Sequence, residues 1–385
     1  MRILIALTYY DPHKSGLTIY AIRQARALAA SGHEVTVLTS QYDRDLPREE
    51  WDQGVRILRL PVLFRLSKGV IMPTIPFRAW KLIGESEVVN LHVPQVDAAM
   101  LAMLAKLRHK PLVLTYHCDL TMPEGIINRI AGWAAVLANR ISAKLADVIV
   151  HNTRDFAVHS SFLSRFLDKL MVIQPPVLVE KVTQKDIAAF REKYQLLPDQ
   201  QVIGMVARLA AEKGVEYLVR AMPDIAQWIP DARVVFVGNY QNVFGEEVYR
   251  EKLMPVIEQL GNKWTFLGEV SELEKAAFLQ VCDVLVLPSI NSTESFGIVQ
   301  VEAMLSGTPV VATDLPGVRQ PVLSTGLGRI VPIKDSDSLC KAIVDLLQAE
   351  KPVDSEMVEA LSKHYSPETV AEAYKSIFRE CTEAE

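Results

Sequence analysis

Short apolar, β-branched runs alternate along the chain with longer stretches in which apolar residues recur with helical spacing. Helical spacing covers, for example, Thr18–Ala30 and Ala98–Leu107. An alternation of strand and helix patterns predicts parallel strands joined by crossover helices. In the first half of the chain, the runs that predict strands are Arg2–Leu7, Glu34–Thr39, Val55–Arg59, Val88–His92, Leu112–Tyr116, Val148–His151 and Met171–Ile173.

The alternation stops at Gln174–Val177, where two prolines form a stiff, non-helical connection. The sequence therefore predicts doubly wound α/β domains over residues 1–175 and 176–366, followed by a C-terminal helix within 367–385. Ligands of such sheets bind beyond the carboxyl ends of the strands, so candidate site residues are those that follow strands. The strands predicted in the second half are Val202–Ala207, Arg233–Val237, Lys263–Phe266, Val284–Leu287, Pro309–Ala312 and Gly328–Val331.

The composition is that of a globular protein of about two domains, with 49% hydrophobic and 23% charged residues over 385 positions. No apolar run reaches the ~18 residues that a membrane-spanning helix needs, and the apolar N-terminal run is too short for a signal peptide. The four cysteines form no CxxC pair, which argues against a zinc site and a disulfide framework. We therefore expect a cytoplasmic location.

Charge is distributed unevenly between the two halves. Residues 1–180 carry 21 Lys and Arg against 16 Asp and Glu, whereas the remaining residues carry 20 against 30. Such an asymmetry suggests domains with different partners. The acidic second half argues against nucleic-acid binding, which uses a basic surface.

The first candidate site in the second half follows the strand predicted over Val202–Ala207. Arg208 comes directly after this strand, and Lys213 precedes the helix predicted over Val215–Met222. A guanidinium, an ammonium and a helix N-terminus at one edge of a sheet favour an anion and together suit a pyrophosphate. The alternative is a pair of solvated side chains in a surface loop.

A second candidate site surrounds the helix predicted over Gly297–Leu305, whose polar residues are Gln300 and Glu302. A buried carboxylate needs a partner, and a ribose diol suits it because one carboxylate accepts from two adjacent hydroxyls. Glu294 precedes the helix, where its carboxylate and the backbone N–H groups of residues 295–297 form a clamp for sugar hydroxyls. The alternative is a helix-capping Glu294 and a Glu302 whose carboxylate reaches solvent.

Glu294 and Glu302 are separated by seven residues, and this segment resembles the E-x7-E element of family 4 retaining glycosyltransferases, which have the GT-B fold. The resemblance covers the whole second half and implies two doubly wound Rossmann-like domains whose parallel sheets face each other across a cleft. It also implies that the first domain lies on the acceptor side, that the second binds the nucleotide-sugar, and that the C-terminal helix crosses back to the first domain. Further segments that resemble landmarks of this family, in the same order, are residues 204–208, 213–214, 236–238, 265–271 and 303–312.

The resemblance implies metal-independent transfer of a hexose from a nucleotide-sugar with retention of anomeric configuration. By this resemblance Arg208 and Lys213 stabilise the departing diphosphate, and Glu294 holds the sugar hydroxyls. No cofactor is implied, because the nucleotide-sugar is a substrate. The donor-binding residues that the resemblance implies are Gly16, Arg208, Lys213, Val270 (beside the base), Glu294, Ser295, Phe296, Gly297, Ile298, Val299 and Glu302 (on the ribose).

The first half resembles the family more loosely. Family members carry a glycine-rich turn after the first strand, where it approaches the donor phosphates, whereas Asp11–Gly16 contains Gly16 alone. His117 directly follows a predicted strand, and the resemblance implies that it contacts the donor sugar. Without the resemblance, His117 is interpreted as an ordinary loop histidine.

UDP-glucose or a similar UDP-sugar is the favoured donor, and a saccharide or a lipid-linked acceptor in polysaccharide or glycan assembly is expected. GDP-mannose is the alternative donor, because Glu272 follows the segment near Val270 and its carboxylate can accept from a guanine edge. Two other classes remain open. One is a sugar epimerase of the same fold, and the other is a non-catalytic subunit that binds a nucleotide-sugar.

Two D-x-D patterns match the letters of a metal-dependent transferase of another fold. Asp335–Asp337 precedes a predicted helix, where an aspartate is a preferred N-cap, and Asp43–Asp45 lies in a polar loop. We interpret both as structural and predict no metal site.

A basic and apolar stretch lies within residues 56–81, where no acidic residue occurs between Asp52 and Glu85. Basic residues interspersed with bulky apolar ones suit the surface of an anionic membrane. This predicts peripheral contact with the inner face of the membrane. The alternative is a basic wall of an acceptor site. The residues concerned are Arg56, Arg59, Leu63, Phe64, Arg65, Lys68, Val70, Ile71, Ile75, Phe77, Arg78, Trp80 and Lys81.

Overall fold

The computed structural model describes residues 1–66, 69–120, 126–349 and 355–383. The chain divides into a first unit, Met1–Val177 with His364–Glu385, and a second unit, Leu178–Lys363. The backbone N–H of Val177 donates to the carbonyl oxygen of Tyr365 at 2.8 Å. This hydrogen bond ties both segments into the first unit, so the boundaries fall after residues 177 and 363 instead of the predicted 175 and 366.

The first unit is built on a parallel sheet with the strand order β10-β9-β8-β7-β1-β2-β4-β3, to which β3 adds an antiparallel edge. A separate hairpin pairs β5 with β6. The elements are β1 (Arg2–Ala6), α1 (Gly16–Ala30), β2 (Glu34–Gln41), β3 (Glu49–Asp52), β4 (Val55–Pro61), β5 (Phe64–Leu66), β6 (Gly69–Ile71), α2 (Ile75–Glu85), β7 (Val88–Val93), α3 (Ala98–Leu107), β8 (Leu112–Tyr116), α4 (Ile126–Leu145), β9 (Val148–His151), α5 (Arg154–His159) and β10 (Leu170–Val172).

The second unit is built on a parallel sheet with the strand order β13-β12-β11-β14-β15-β16. Its elements are α6 (Gln184–Lys193), β11 (Val202–Val206), α7 (Val215–Trp228), β12 (Arg233–Val237), α8 (Glu247–Gln259), β13 (Trp264–Gly268), α9 (Glu272–Val281), β14 (Val284–Leu287), α10 (Ile298–Leu305), β15 (Val310–Thr313), α11 (Gln320–Thr325), β16 (Gly328–Val331), α12 (Ser336–Gln348) and α13 (Ser355–His364).

The last helix, α14 (Pro367–Glu383), packs against α1 in the first unit. Val370, Tyr374 and Phe378 are buried there with apolar residues of α1 and of the sheet, because they recur with helical spacing on one face. No described helix combines the length and the apolar character that crossing a membrane would require.

The predicted parallel strands are confirmed, but β3, β5 and β6 were not predicted. Three of the four residues of Glu49–Asp52 are acidic, so this segment lacks the apolar pattern from which a strand is predicted. It forms a strand by pairing with β4. Helix α1 begins at Gly16 instead of the predicted Thr18. Ser15 caps it, with Ser15 and Thr18 forming a capping box.

Candidate functional site

Among the parallel strands of each of the two large sheets, the strand order reverses at one point. In the second unit this point lies between β11 and β14, and in the first unit it lies between β1 and β7. Ligands of doubly wound sheets bind at such points, beyond the carboxyl ends of the strands. The segments that follow these strands are therefore the candidate binding segments of each unit.

In the second unit, the loop after β11 packs directly on the loop after β14. Gly214 has a φ of +64°, and a Cβ at this position would lie 2.1 Å from the carbonyl oxygen of Pro288. The N–H of Ile290 also donates to the carbonyl oxygen of Glu212 at 3.0 Å. A glycine is required here because its backbone approaches its neighbour more closely than any side chain allows.

This packing brings Lys213 and Glu294 into contact. The Lys213 Nζ lies 2.6 Å from the Glu294 Oε2, and both side chains are less than one-fifth exposed. Arg208 is instead paired with Glu212, at 3.0 Å, with its side chain 46% exposed. These two ion pairs place two basic side chains and two carboxylates at the carboxyl edge of the sheet, and basic side chains beside a carboxylate suit a diphosphate joined to a sugar.

Helix α10 begins directly beyond Glu294. Gly297 is its N-cap, with a φ of +77°, and leaves the N–H groups of the first turn without a side-chain cap. The Nε2 of buried Gln300 donates to the carbonyl oxygens of Phe296 at 2.7 Å and Val318 at 3.0 Å, which fixes this segment. A rigid helix N-terminus beside a lysine is an electrostatically favourable place for an anion.

Glu302 lies on the buried face of α10, with 3% of its surface exposed. Lys275 on α9 is its partner at 3.3 Å, and Lys275 also lies 2.7 Å from Glu272. A buried carboxylate requires a partner, and Lys275 supplies it. The sequence pattern alone does not identify Lys275 as this partner. Val270 is half-buried in the turn between β13 and α9, two residues before Glu272.

In the first unit, Gly16 is the first residue of α1. A Cβ built at Gly16 meets no atom within 4 Å, so the backbone is open to approach at this point. His117 lies at the carboxyl edge of β8, directly after the strand, and is 7% exposed. Its Nε2 lies 2.9 Å from the Nδ1 of buried His92 on β7.

Burial keeps the histidines at this edge neutral. Desolvation lowers the pKa of His92 to about 3 and that of His151 to about 4. Desolvation and the neighbouring imidazoles also lower the pKa of His117 well below its ordinary value. At neutral pH each ring therefore has one nitrogen that donates and one that accepts.

The D-x-D patterns have the structural roles predicted for them. Asp335 caps α12 by accepting from the backbone N–H groups of Asp337 and Ser338. Asp43 accepts from the N–H of Asp45 within a turn. Over the described ranges, no group of three or more His, Cys, Asp and Glu side chains has the arrangement of a metal site.

Two family models match most of the chain. The model of glycosyl transferases group 1 matches residues 186–366, and that of the glycosyl transferase 4-like domain matches residues 15–175. The chain belongs to the group 1 glycosyltransferases. This confirms the predicted family, and the candidate site residues of the glycosyltransferase lie in both matched regions.

Relatives of the glycosyltransferase are similar over most of their length. The phosphatidyl-myo-inositol mannosyltransferase of Mycolicibacterium smegmatis is 27% identical over 91% of this chain and 86% of its own. A GDP-mannose-dependent alpha-(1-6)-phosphatidylinositol monomannoside mannosyltransferase of the same organism is 27% identical over 90% and 89%.

Solved structures support the fold of the glycosyltransferase. Sucrose-phosphate synthase from Thermosynechococcus elongatus has a TM-score of 0.76 at 21% identity and covers 100% of both chains. Anabaena Alr3699/HepE in complex with UDP-glucose has a TM-score of 0.76 at 20% identity and covers 99% of this chain and 100% of its own. The predicted α/β fold of the GT-B class, with parallel sheets in two Rossmann-like domains, is confirmed.

The structure brings together part of the predicted set in the second unit. Lys213 contacts Glu294, and Ser295–Val299 continue from Glu294 into the first turn of α10. Sequence reasoning missed Lys275 and His92. His92 had a detectable signal, since Asn90 and His92 occupy alternate positions in the otherwise apolar run of β7.

Proposed function

We propose that this glycosyltransferase transfers mannose from GDP-mannose to an inositol-containing lipid acceptor, with retention of anomeric configuration and without a metal ion. The observation that carries the proposal is the 2.6 Å contact between Lys213 and Glu294 beside the N-terminus of α10. A diphosphate is an anion that suits Lys213 and the helix N-terminus, and the sugar attached to it carries hydroxyls that suit Glu294.

In this proposal each group acts on a different part of the donor. Lys213, Arg208 and the first-turn N–H groups of α10 bind the diphosphate, and Glu294 accepts from hydroxyls of the sugar. The Glu302 carboxylate binds the ribose hydroxyls, and the backbone near Val270 contacts the base. At Gly16, which has no side chain, the backbone can lie close to a phosphate. His117 contacts the sugar.

The proposed reaction proceeds on one face of the sugar. The bond between the anomeric carbon and the diphosphate oxygen breaks while the acceptor oxygen bonds to the same carbon. The acceptor hydroxyl proton passes to the departing diphosphate oxygen, which balances the step without a protein nucleophile. Positive groups at the diphosphate stabilise the charge that develops there.

Similarity to mannosyltransferases over nearly the whole chain favours GDP-mannose over the UDP-glucose that the sequence favoured. Glu272, with a side chain 49% exposed beside Lys275, is available to accept from the N–H groups of guanine. UDP-glucose is the second candidate, supported by the Anabaena structure that holds it. A GT-B epimerase and a non-catalytic subunit are the remaining alternatives.

A donor panel tests this proposal. Thermal unfolding is measured with GDP, UDP, GDP-mannose and UDP-glucose, and radiolabel transfer is measured with phosphatidylinositol in vesicles. A saturating ligand stabilises the protein by ~2.7 kcal/mol at 100 times its dissociation constant. We expect GDP and GDP-mannose to raise the melting temperature and mannose to reach the lipid. Stabilisation by UDP compounds alone would contradict the choice of donor, and sugar interconversion without an acceptor would indicate an epimerase.

We also propose that part of residues 56–81 contacts the inner face of the membrane. Leu63, Phe64 and Phe77 are 67%, 51% and 80% exposed, and Trp80 is 42% exposed with the guanidinium of Arg108 over its ring. Arg59, Val70 and Ile75 are buried and cannot contribute, which corrects part of the sequence-based expectation, and Lys68 lies outside the described residues.

The charge beside these apolar side chains suits anionic lipid. A cavity of about 260 Å³ next to α2 is lined by two acidic residues, Glu49 and Glu85, and by a larger number of basic residues. Because basic residues outnumber acidic ones, anionic headgroups are favoured there. The basic residues that line the cavity and can reach a headgroup are Arg48, Arg56, Arg78 and Lys81, whereas Arg59 lines it with a buried side chain paired with Glu50.

Co-sedimentation with vesicles tests this contact. Phe77→Ser should weaken salt-sensitive binding to anionic vesicles, whereas Trp228→Ser, which changes a side chain 71% exposed on α7, should leave it unchanged. Equal binding by both variants, or no binding by the wild type, would overturn the proposed membrane contact.

A further inference from the structure

A chain of buried polar side chains lies beneath His117 in the first unit. Asn90 and His92 alternate on β7 with no exposed surface, and His92 pairs in register with Thr115 on β8. Because side chains alternate between the faces of a sheet, Asn90 and His92 share one face. Polar groups buried in this way must satisfy one another, and their hydrogen bonds have defined directions.

The orientation of the Asn90 amide is fixed by its neighbours. Its Nδ2 donates to the carbonyl oxygen of Val113 at 3.1 Å and to the Thr115 Oγ1 at 2.9 Å. A backbone carbonyl can only accept, so the nitrogen of the amide must face Val113. Its Oδ1 therefore faces the other way, where it accepts from the Nε2 of Gln24 at 3.1 Å.

The same Oδ1 fixes the tautomer of His92. The Nε2 of His92 lies 3.1 Å from the Asn90 Oδ1, and an amide oxygen offers no proton, so Nε2 must carry one. Desolvation keeps the pKa of His92 at about 3, so the ring is neutral at physiological pH. A neutral imidazole with a proton on Nε2 has Nδ1 as its acceptor.

This acceptor in turn decides the state of His117. The Nε2 of His117 lies 2.9 Å from the Nδ1 of His92 and must donate to it. The pKa of His117 is held well below its ordinary value by burial, so this ring is neutral as well. Its second nitrogen, Nδ1, is then an acceptor.

We propose that His92, oriented by Asn90, is a positioning residue that fixes the tautomer of His117, so that His117 offers the donor sugar an acceptor nitrogen. The inference rests on the proposed function of His117 as a contact of that sugar. A sugar hydroxyl can donate to Nδ1, whereas a phosphate oxygen has no proton to donate. The fixed tautomer thus favours the neutral sugar over the diphosphate at this position.

The tautomers are measurable directly by NMR of protein labelled with ¹⁵N-histidine. Long-range couplings between ring protons and nitrogens distinguish a proton on Nε2 from one on Nδ1. His117→Gln assigns the signals of His117 by their loss. In the wild type we expect both His92 and His117 to carry the proton on Nε2. A proton on the Nδ1 of His117 would overturn the proposal.

Two variants of His92 distinguish the role of its acceptor nitrogen, Nδ1, from the role of its ring volume. His92→Phe keeps an aromatic ring but removes the acceptor, so the His117 signals should move toward a mixture of tautomers. His92→Asn keeps an oxygen acceptor at the δ1 position, so the tautomer of His117 should remain that of the wild type. An unchanged tautomer in His92→Phe would contradict the proposal, and circular dichroism verifies that both variants fold.

Kinetics supplies the functional readout. We expect His92→Phe to lower kcat by about ten- to a hundredfold, the cost of one mispaired buried hydrogen bond, while GDP affinity is unchanged. His92→Asn should restore kcat to within about threefold of the wild type. Equal losses in both variants would indicate a merely structural role and overturn the proposal. Absence of transfer by the wild type would contradict the proposed function, whereas the tautomer spectra would still decide the role of His92.

Discussion

The two units hold their candidate site residues by different electrostatic means. In the second unit the contacts are ion pairs, with Lys213 2.6 Å from Glu294 and Lys275 3.3 Å from Glu302. In the first unit the contact is between the neutral rings of His92 and His117. The sequence has this division too, because all eight histidines belong to the segments of the first unit: His13, His33, His92, His109, His117, His151, His159 and His364.

In the proposed function, ionic and neutral contacts suit two different chemical groups of a nucleotide-sugar, its diphosphate and its sugar hydroxyls. Paired charges are arranged for a diphosphate, whose negative charge requires basic side chains and helix N–H groups. Neutral imidazoles suit hydroxyl groups, for which a charged ring would be costly to bury. The units should therefore respond differently to loss of charge, to acid and to changes of backbone.

The largest expected effect follows from Glu294→Gln in the second unit. The substitution preserves shape but removes the charge that pairs with Lys213 and that, in the proposed function, binds the sugar hydroxyls. Because a hydrogen bond to a charged group contributes ~1.5–3 kcal/mol, we expect kcat/KM for mannosyl transfer to fall by roughly a hundredfold. Initial rates with labelled GDP-mannose measure the change.

A matched control is available in the same unit. Lys193 and Glu274 form an equally short pair at 2.5 Å on α6 and α9, with the lysine 59% exposed. Glu274→Gln should leave kcat/KM within about twofold of the wild type, since surface pairs contribute little. Comparable losses in the two variants would indicate a general effect of charge instead of a role for Glu294 at the donor.

Acid should destabilise the first unit before the second. The folded-state pKa values of His92, His117 and His151 lie below the unfolded value of about 6.5, so the unfolded state binds more protons as the pH falls. Each imidazole removes on the order of 1 kcal/mol of stability per pH unit below about 6.5, until its folded pKa is reached. Urea unfolding at pH 7 and pH 5, with proteolytic mapping, identifies the unit that opens first.

The contribution of one imidazole can be isolated. His151 is buried and donates from Nδ1 to the carbonyl oxygen of Tyr116. Because desolvation lowers the pKa of His151, His151→Phe should reduce the slope of stability against pH by one proton. Earlier opening of the second unit in acid would contradict the comparison.

The smallest effects concern glycines. Gly214→Ala forces a side chain onto a φ of +64° against the carbonyl oxygen of Pro288, and we expect a loss of about 1–3 kcal/mol in the free energy of unfolding. Gly16→Ala meets no neighbour, so stability should change by less than about 0.5 kcal/mol. A weakening of donor binding by several-fold in Gly16→Ala would support the approach of a phosphate, and unchanged binding would argue against it.

The parallel sheets could be predicted because their strands are apolar and separated by helical patterns. β7 and β14, for example, are buried along their whole length and are evident in the sequence. The edge strand β3 could not be predicted, since Glu49–Asp52 is polar and forms only by pairing with β4. Edge strands of this kind are fixed by tertiary pairing and not by local pattern.

The site was predictable where spacing alone carried the information, as for Glu294 and Glu302. The partners of these residues were not, because Lys275 reaches Glu302 from another helix 27 positions earlier in the chain. The Asn90–His92–His117 contacts depend likewise on the register of β7 with β8, which a sequence without pairing information does not reveal.

The central claim, retaining transfer of mannose from GDP-mannose, is tested most directly by the stereochemistry of the product. The wild-type protein is incubated with GDP-mannose and phosphatidylinositol vesicles, and the anomeric configuration of the mannolipid is determined by NMR. The account predicts an α-mannoside, the configuration of the donor. A β-mannoside would contradict it, because inversion requires attack from the face opposite the diphosphate.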